Sequence, residues 1–160
     1  MQNLTPDYEF ENVTKIDEKI FEGKDLIIFD IDNTLFYPET VNIREDILGW
    51  FMRIKKKYKC VCFSNSFSIK QRKDEIVKKI GCELYISHNK KPSRHLFKEI
   101  VEKYNVSPKN VVVVGDFRFT DVFFGKRSGA KTILVKPFSS DNSKRVKILR
   151  KMENLFFKLI

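Results

Sequence analysis

Apolar residues in this chain fall into short unbroken runs, separated by longer stretches in which they recur every three or four positions. The runs, at 26 to 30, 59 to 64, 83 to 86, 111 to 115 and 131 to 136, predict strands. Leu26, Ile27, Ile28 and Phe29 show no polar alternation, as expected of a strand buried on both faces. The intervening stretches predict helices. Over about 43 to 57, Ile43, Ile47, Leu48, Trp50, Phe51 and Ile54 share one broad face, and the last turn is basic, as the helix dipole favours. A second helix, about 68 to 80, stops at Gly81. A third opens at Pro92 and carries Leu96, Phe97, Ile100, Val101 and Tyr104 before Asn105, and a shorter one covers about 120 to 128.

Strands that alternate with helices at this spacing imply right-handed βαβ units. The expected fold is α/β, a three-layer α/β/α Rossmann-like sandwich around a parallel sheet of about five strands, the first of them central. A chain of 160 residues without linker, repeat or low-complexity tract is read as a single domain, 1 to 160. Ligands of such sheets gather at the carboxyl ends of the strands, at the switch point, which here falls beside Asp30.

Composition narrows the class. Hydrophobic residues at 42% and charged residues at 32% describe a soluble globular protein, and no run approaches the length of a membrane-spanning helix. Residues 1 to 10 hold acids and no apolar core, so neither a signal peptide nor a transit peptide is read there and the expected location is the cytoplasm. Cys60, Cys62 and Cys82 lack zinc spacing; Cys60 and Cys62 alternate along a strand, which makes one of them a core thiol. His88 and His95 read as surface or loop residues. The net charge of +10 favours phosphate-rich partners, among them nucleic acid, anionic phospholipid and phosphorylated substrates, without choosing between them.

Part of that charge lies in the segment 143 to 160, where Val146, Leu149, Met152, Phe156 and Leu159 recur at helical spacing, broadened by Ile148, Leu155, Phe157 and Ile160. Lys144, Arg145, Lys147, Arg150, Lys151 and Lys158 are opposed only by Glu153. Such a basic amphipathic helix either lies in a membrane interface, as a peripheral contact, or packs on its own sheet.

Candidate chemistry sits at the strand ends. Phe29-Asp30-Ile31-Asp32-Asn33-Thr34-Leu35 places two carboxylates two residues apart where the first strand stops. An EF-hand is excluded, because its sixth and twelfth positions would be Leu35 and Val41 instead of Gly and Glu. Ser64-Asn65-Ser66 follows the next strand at a helix start, where free N–H groups can cradle a phosphate. Asn89-Lys90-Lys91-Pro92 brings an ammonium to another helix start, and Gly115-Asp116 through Asp121 delivers further acids to the same edge of the sheet.

In this order the four segments resemble the signature of the haloacid dehalogenase superfamily: DxDxT, a Ser or Thr, a Lys, and GDxxxxD. LTPDYEF, FDIDNTL, FSNS, KKP and GDFRFTDVFFGKRSGAKTILVKP look more closely like the YqeG-type phosphatases of subfamily IIIA. That group is similar to the mitochondrial phosphatidylglycerophosphatases of fungi and plants. The resemblance runs from about residue 4 to 137, with Phe117 standing where Gln is usual and Lys126 where Asn is usual. It implies a Mg²⁺-dependent phosphomonoester hydrolase working through an aspartyl-phosphate. Asp30 would be the nucleophile and Asp32 the general acid/base. Mg²⁺ would be held by Asp30, Asp116 and the Asp32 backbone carbonyl, with Thr34 and Asp121 outside the direct ligands. Ser64, Asn65 and Lys91 would bind the phosphate, Lys91 rather than Lys90 because the family lysine directly precedes proline.

The intervals from Leu35 to Ser64 and from there to Lys91 are consumed by single helices and strands, so no cap domain fits. An uncapped site admits a phosphate carried on something large. Phosphatidylglycerophosphate is the expected substrate; a nucleic-acid end, a nucleotide or a sugar phosphate is the alternative, and a non-catalytic RNA- or protein-binding domain a further one.

Overall fold

Leu26 and Ile28 pack on one side of the central strand and Ile27 and Phe29 on the other, all four fully buried, which is the two-sided burial that the unbroken run predicts. The computed structural model describes residues 4–66, 68–87, 94–141 and 143–158. Its strands are β1 (Tyr8–Phe10), β2 (Leu26–Asp30), β3 (Cys60–Ser64), β4 (Leu84–Ile86), β5 (Val111–Gly115) and β6 (Lys131–Val135). All pairings are parallel, in the order β1-β6-β5-β2-β3-β4. The chain therefore steps outward from β2 through β3 to β4, then returns to the other flank of β2 with β5. That reversal is the switch point beside Asp30.

Helices α1 (Glu45–Lys57) and α2 (Ile69–Ile80) cover one face, α3 (Arg94–Tyr104) and α4 (Phe123–Arg127) the other, and α5 (Lys144–Lys158) follows the last strand. On the first face Trp50 and Phe51 meet Phe29 edge-on, at 5.9 and 5.3 Å between ring centres. On the second, Phe124 stacks on Phe63 at 4.6 Å. Each such ring removed from water contributes roughly 2–3 kcal/mol, so β2 is anchored from both sides. The first helix begins at Glu45 and not 43 because Ile43 pairs with Phe36 in a β-bridge. The expected start of the third, Pro92, lies outside the described residues.

Two points go beyond the sequence reading. The sheet has six strands rather than about five: β1 is a three-residue edge strand flanked by acids and carries no apolar run. Nor does α5 bury its apolar stripe in the sheet. Its buried residue is Glu153, whereas Ile148, Leu149, Met152 and Leu155 are 50% exposed or more and Phe156 41%. Among the described residues no helix is long and apolar enough to cross a membrane. The core thiol is Cys62, 3.8 Å from the buried Cys82; burial pushes Cys60 up to about 12, so it packs as a neutral thiol.

Asp7 fastens β1. Its carboxylate accepts from Thr132 N–H at 2.7 Å, Thr132 Oγ1 at 3.0 Å and Lys126 Nζ at 2.6 Å. Burial opposes the charged form, but these donors outweigh it and hold the carboxyl below its ordinary value. The stabilisation is thus complete above the unfolded carboxyl's pKa and disappears as pH falls through the lowered folded value. Asp7→Ala is expected to cost about 1–2 kcal/mol in urea unfolding at pH 7, with the difference from the parent chain shrinking in acid.

Candidate active site

Asp30 is the last residue of β2, and the chain turns immediately after it. The N–H groups of Leu35 and Phe36 donate to the Ile31 carbonyl at 3.0 and 2.9 Å, and Asn33 takes left-handed backbone, φ 62°. Asn adopts this region at lower cost than most side chains. Thr34 Oγ1 donates to Asp30 Oδ2 at 3.4 Å. Although the strand stops, Asp30 and Asp32 line one cavity of about 320 Å³ together with Ser64, Asn65, Asp116 and Asp121.

Asp116 follows the end of β5, and Asp121 returns to it through a widened turn at Arg118–Val122 with π-helical bonding, a feature often found at functional sites. Asp121 Oδ2 accepts the Phe117 N–H at 3.0 Å, which aims the carboxylate back toward the strand end. One carboxylate oxygen from each of Asp30, Asp116 and Asp121 lies within 4.8 Å of the other two, and the three residues are 6%, 7% and 2% exposed. Burial pushes the Asp116 carboxyl well above the usual range; Arg150 pulls it back, while Asp30 and Asp121 push it further up. Hard oxygen donors this crowded and this poorly solvated fit a divalent cation such as Mg²⁺.

Asp32 is held apart from that cluster. Arg72, 7% exposed on α2, grips it with two parallel bonds, Nη1 to Oδ1 and Nη2 to Oδ2, both 3.0 Å. Oδ1 also accepts the Glu39 N–H at 3.1 Å, and Arg72 Nη1 reaches the Thr40 carbonyl at 2.7 Å. Ser64, at the end of β3 and 2% exposed, accepts the Ser66 N–H at 3.2 Å. Because α2 starts at Ile69, the Ser64-Asn65-Ser66 triplet precedes the helix as a loop at the cavity wall. Lys91 lies outside the described residues.

A further wall comes from α5 and the residue that precedes it. Ser143, Arg145, Val146, Leu149 and Arg150 all line the cavity. Arg150 Nη2 donates to Asp116 Oδ2 at 2.5 Å, Nη1 to the Asp116 carbonyl at 3.2 Å, and Nε and Nη2 to the two oxygens of Asp141 at 2.7 and 3.2 Å. Asp141 in turn accepts from Asn33 Nδ2 at 2.9 Å, and Asn33 Oδ1 accepts from both the N–H and the hydroxyl of Ser139. Glu153 accepts the Phe119 N–H at 2.7 Å, and burial raises its carboxyl to about 7.

The sequence reading gives no role at the site to Arg72, Asp141 or Arg150. One signal was available for the last. Phe117, which departs from the family pattern, is the ring over which the Arg150 guanidinium lies, 4.6 Å from the centroid. The other departure, Lys126, is the partner of Asp7.

Known proteins share this chain's sequence over the same region. A family model described as mitochondrial PGP phosphatase matches residues 1–138. The chain is 29% identical over 140 residues to the probable phosphatase YqeG of Bacillus subtilis, spanning 87% of this chain and 78% of that protein. It is 26% identical over 147 residues to phosphatidylglycerophosphate phosphatase 1, chloroplastic/mitochondrial, of Arabidopsis thaliana, spanning 86% of this chain and 42% of the longer plant protein. In fold it is similar to a haloacid dehalogenase-like family hydrolase from Xanthomonas campestris, with a TM-score of 0.55 at 12% identity over 77% of this chain and 89% of that one. Asp141 and α5 lie beyond the residues matched by the family model.

A Cβ at Gly115 would stand 2.3 Å from Asp121 Oδ2. Gly115→Ala is therefore expected to drive Asp121 out of the acid cluster and weaken Mg²⁺ binding at least about tenfold, seen by calorimetric titration, with the circular dichroism of the fold retained.

Proposed function

Because the chain belongs to the mitochondrial PGP phosphatase family and is a phosphatase of the haloacid dehalogenase type, we propose that it removes the terminal phosphate of phosphatidylglycerophosphate, acting on a membrane surface from the cytoplasmic side. The observation that supports this chemistry is a separation inside one cavity: Asp30 lies in a buried acid cluster, and Asp32 lies outside it, fixed by Arg72.

Asp30 and Asp116 would hold the Mg²⁺ together with the Asp32 backbone carbonyl, and Asp121 would stand beside them in the acid cluster. When bound, that ion supplies the positive charge that lets an anionic carboxylate approach an anionic phosphate. The Asp30 carboxylate attacks phosphorus, the bond to the departing alkoxide breaks, and an aspartyl-phosphate forms. Asp32 gives the alkoxide its proton, then takes one from the water that hydrolyses the intermediate, releasing inorganic phosphate and restoring Asp30. A carboxylate offers about two acceptor positions per oxygen. On Asp32, Oδ1 is filled by Arg72 and the Glu39 N–H, so the travelling proton is carried on Oδ2. Ser64 and Asn65 at the cavity wall, with Lys91, bind the non-bridging phosphate oxygens.

The lipid reading rests on α5. Its exposed Ile148, Leu149, Met152, Leu155 and Phe156 form one apolar strip beside Lys144, Lys147, Lys151 and Lys158, a surface that suits an anionic interface.

Asp30→Asn is expected to lower kcat on p-nitrophenyl phosphate with Mg²⁺ by more than about 10³-fold while leaving thermal unfolding in place. Metal-dependent turnover persisting in that variant would remove Asp30 from the nucleophile's role. Replacing Ile148 and Met152 together by Glu is expected to abolish co-sedimentation with anionic vesicles. Unchanged sedimentation, or full activity on soluble phosphate esters with none on phosphatidylglycerophosphate, would rule out the lipid reading.

A further inference from the structure

Two cationic side chains among the described residues line the cavity, and they differ in what they have left to give. Arg150 is committed to Asp116 and Asp141. Arg145, one helical turn and a little more before it, is exposed and has no hydrogen bond or ion pair with any described residue. At about 100° per residue along α5, Arg145 falls between Met152 and Phe156, inside the exposed apolar strip, while Val146 and Arg150 turn toward the site. It thus stands at the junction of the cavity and the strip, an exposed cation with no partner among the described residues, placed where an anion spanning both would meet it.

We infer that Arg145 is a specificity-determining residue that binds a second anionic group of the substrate, a phosphodiester one glycerol away from the phosphate being hydrolysed. The inference deepens the reading of the preceding subsection and rests on it. The chemistry of such a substrate matches the order of features along α5. The reacting phosphomonoester lies among Asp30, Ser64 and Asp116, the phosphodiester meets Arg145 at the rim, and the acyl chains continue onto Leu149, Met152 and Phe156. In a capless enzyme this helix does the work of a cap, reading the part of the substrate that does not react. Arg150 and Glu153, bonded to Asp116 and the Phe119 N–H, set the position from which it reads. A phosphate ester without the second charge gains nothing from Arg145.

The test is steady-state kinetics of the full chain and of Arg145→Gln and Arg145→Lys with three substrates. These are phosphatidylglycerophosphate in mixed micelles, its deacylated headgroup glycerophosphoglycerophosphate, and p-nitrophenyl phosphate. The expected result for Arg145→Gln is a fall of about tenfold in the ratio of kcat/KM for the deacylated headgroup to that for p-nitrophenyl phosphate, the loss of one charge-assisted contact. The change should lie in KM rather than kcat, with most of it recovered in Arg145→Lys. The acyl-free substrate separates recognition of the second phosphate from adsorption to a lipid surface. An unchanged ratio in a chain that hydrolyses phosphatidylglycerophosphate overturns the role of Arg145 alone. A parent chain that turns over p-nitrophenyl phosphate and neither phosphodiester-bearing substrate overturns the lipid reading, and Arg145's role with it.

Discussion

Three carboxylates forced together in a nearly dry pocket are the constraint around which this protein is organised. Asp30 and Asp116 are delivered by the ends of β2 and β5, which are neighbours because the strand order reverses at β2. Asp121 is brought to them by a turn that opens to π-helical spacing. Packing of this kind is unfavourable for charged groups, and a cation has to answer it. The hydrophobic framework bears that cost. Both faces of β2 are covered by aromatic and aliphatic side chains, so the strand end cannot relax away from its neighbours. Arg150 responds to the same demand from outside the sheet, which is why a helix at the far end of the sequence is drawn onto the site.

What the sequence disclosed and what it withheld divide along a physical line. The strands β2, β3, β5 and β6 were legible because burial on both faces leaves a short apolar run in each, and acids stood where β2 and β5 ended. β1 was not, since a three-residue edge strand with one partly buried apolar residue, Phe10, writes no run and leans on the hydrogen bonds of Asp7. Arg72 and Arg150 were illegible for a related reason. An ion pair across 40 or 34 positions leaves no periodic trace, and an arginine in a basic helix looks like its solvated neighbours. The sequence shows apolar residues at helical spacing along α5, yet hydropathy alone could not say that its single acid, Glu153, would face inward while Ile148, Leu149, Met152, Leu155 and Phe156 stay exposed.

The inversion of α5 also connects charge to location. Positive charge spread over the whole chain is weak evidence of anything, but the lysines of this helix flank an exposed apolar strip that begins at the rim of the cavity. On the proposed reading, basic residues placed there act on the same molecule that the acids below them process. Steering, adsorption and recognition then belong to one surface element, whereas a capped relative would divide them between a separate domain and the catalytic body.

Asn33 joins the first motif to Asp141 across 108 residues of sequence, and Asp141 leads into the helix that carries Arg150. All six strands are complete at Val135, so neither of those residues belongs to the sheet, and the cluster's counter-charge reaches it from a segment outside the strands. Loosening Asn33 from Asp141 would therefore weaken the hold on Arg150 without touching a strand, and the acids would be left to whatever cation the solution offers.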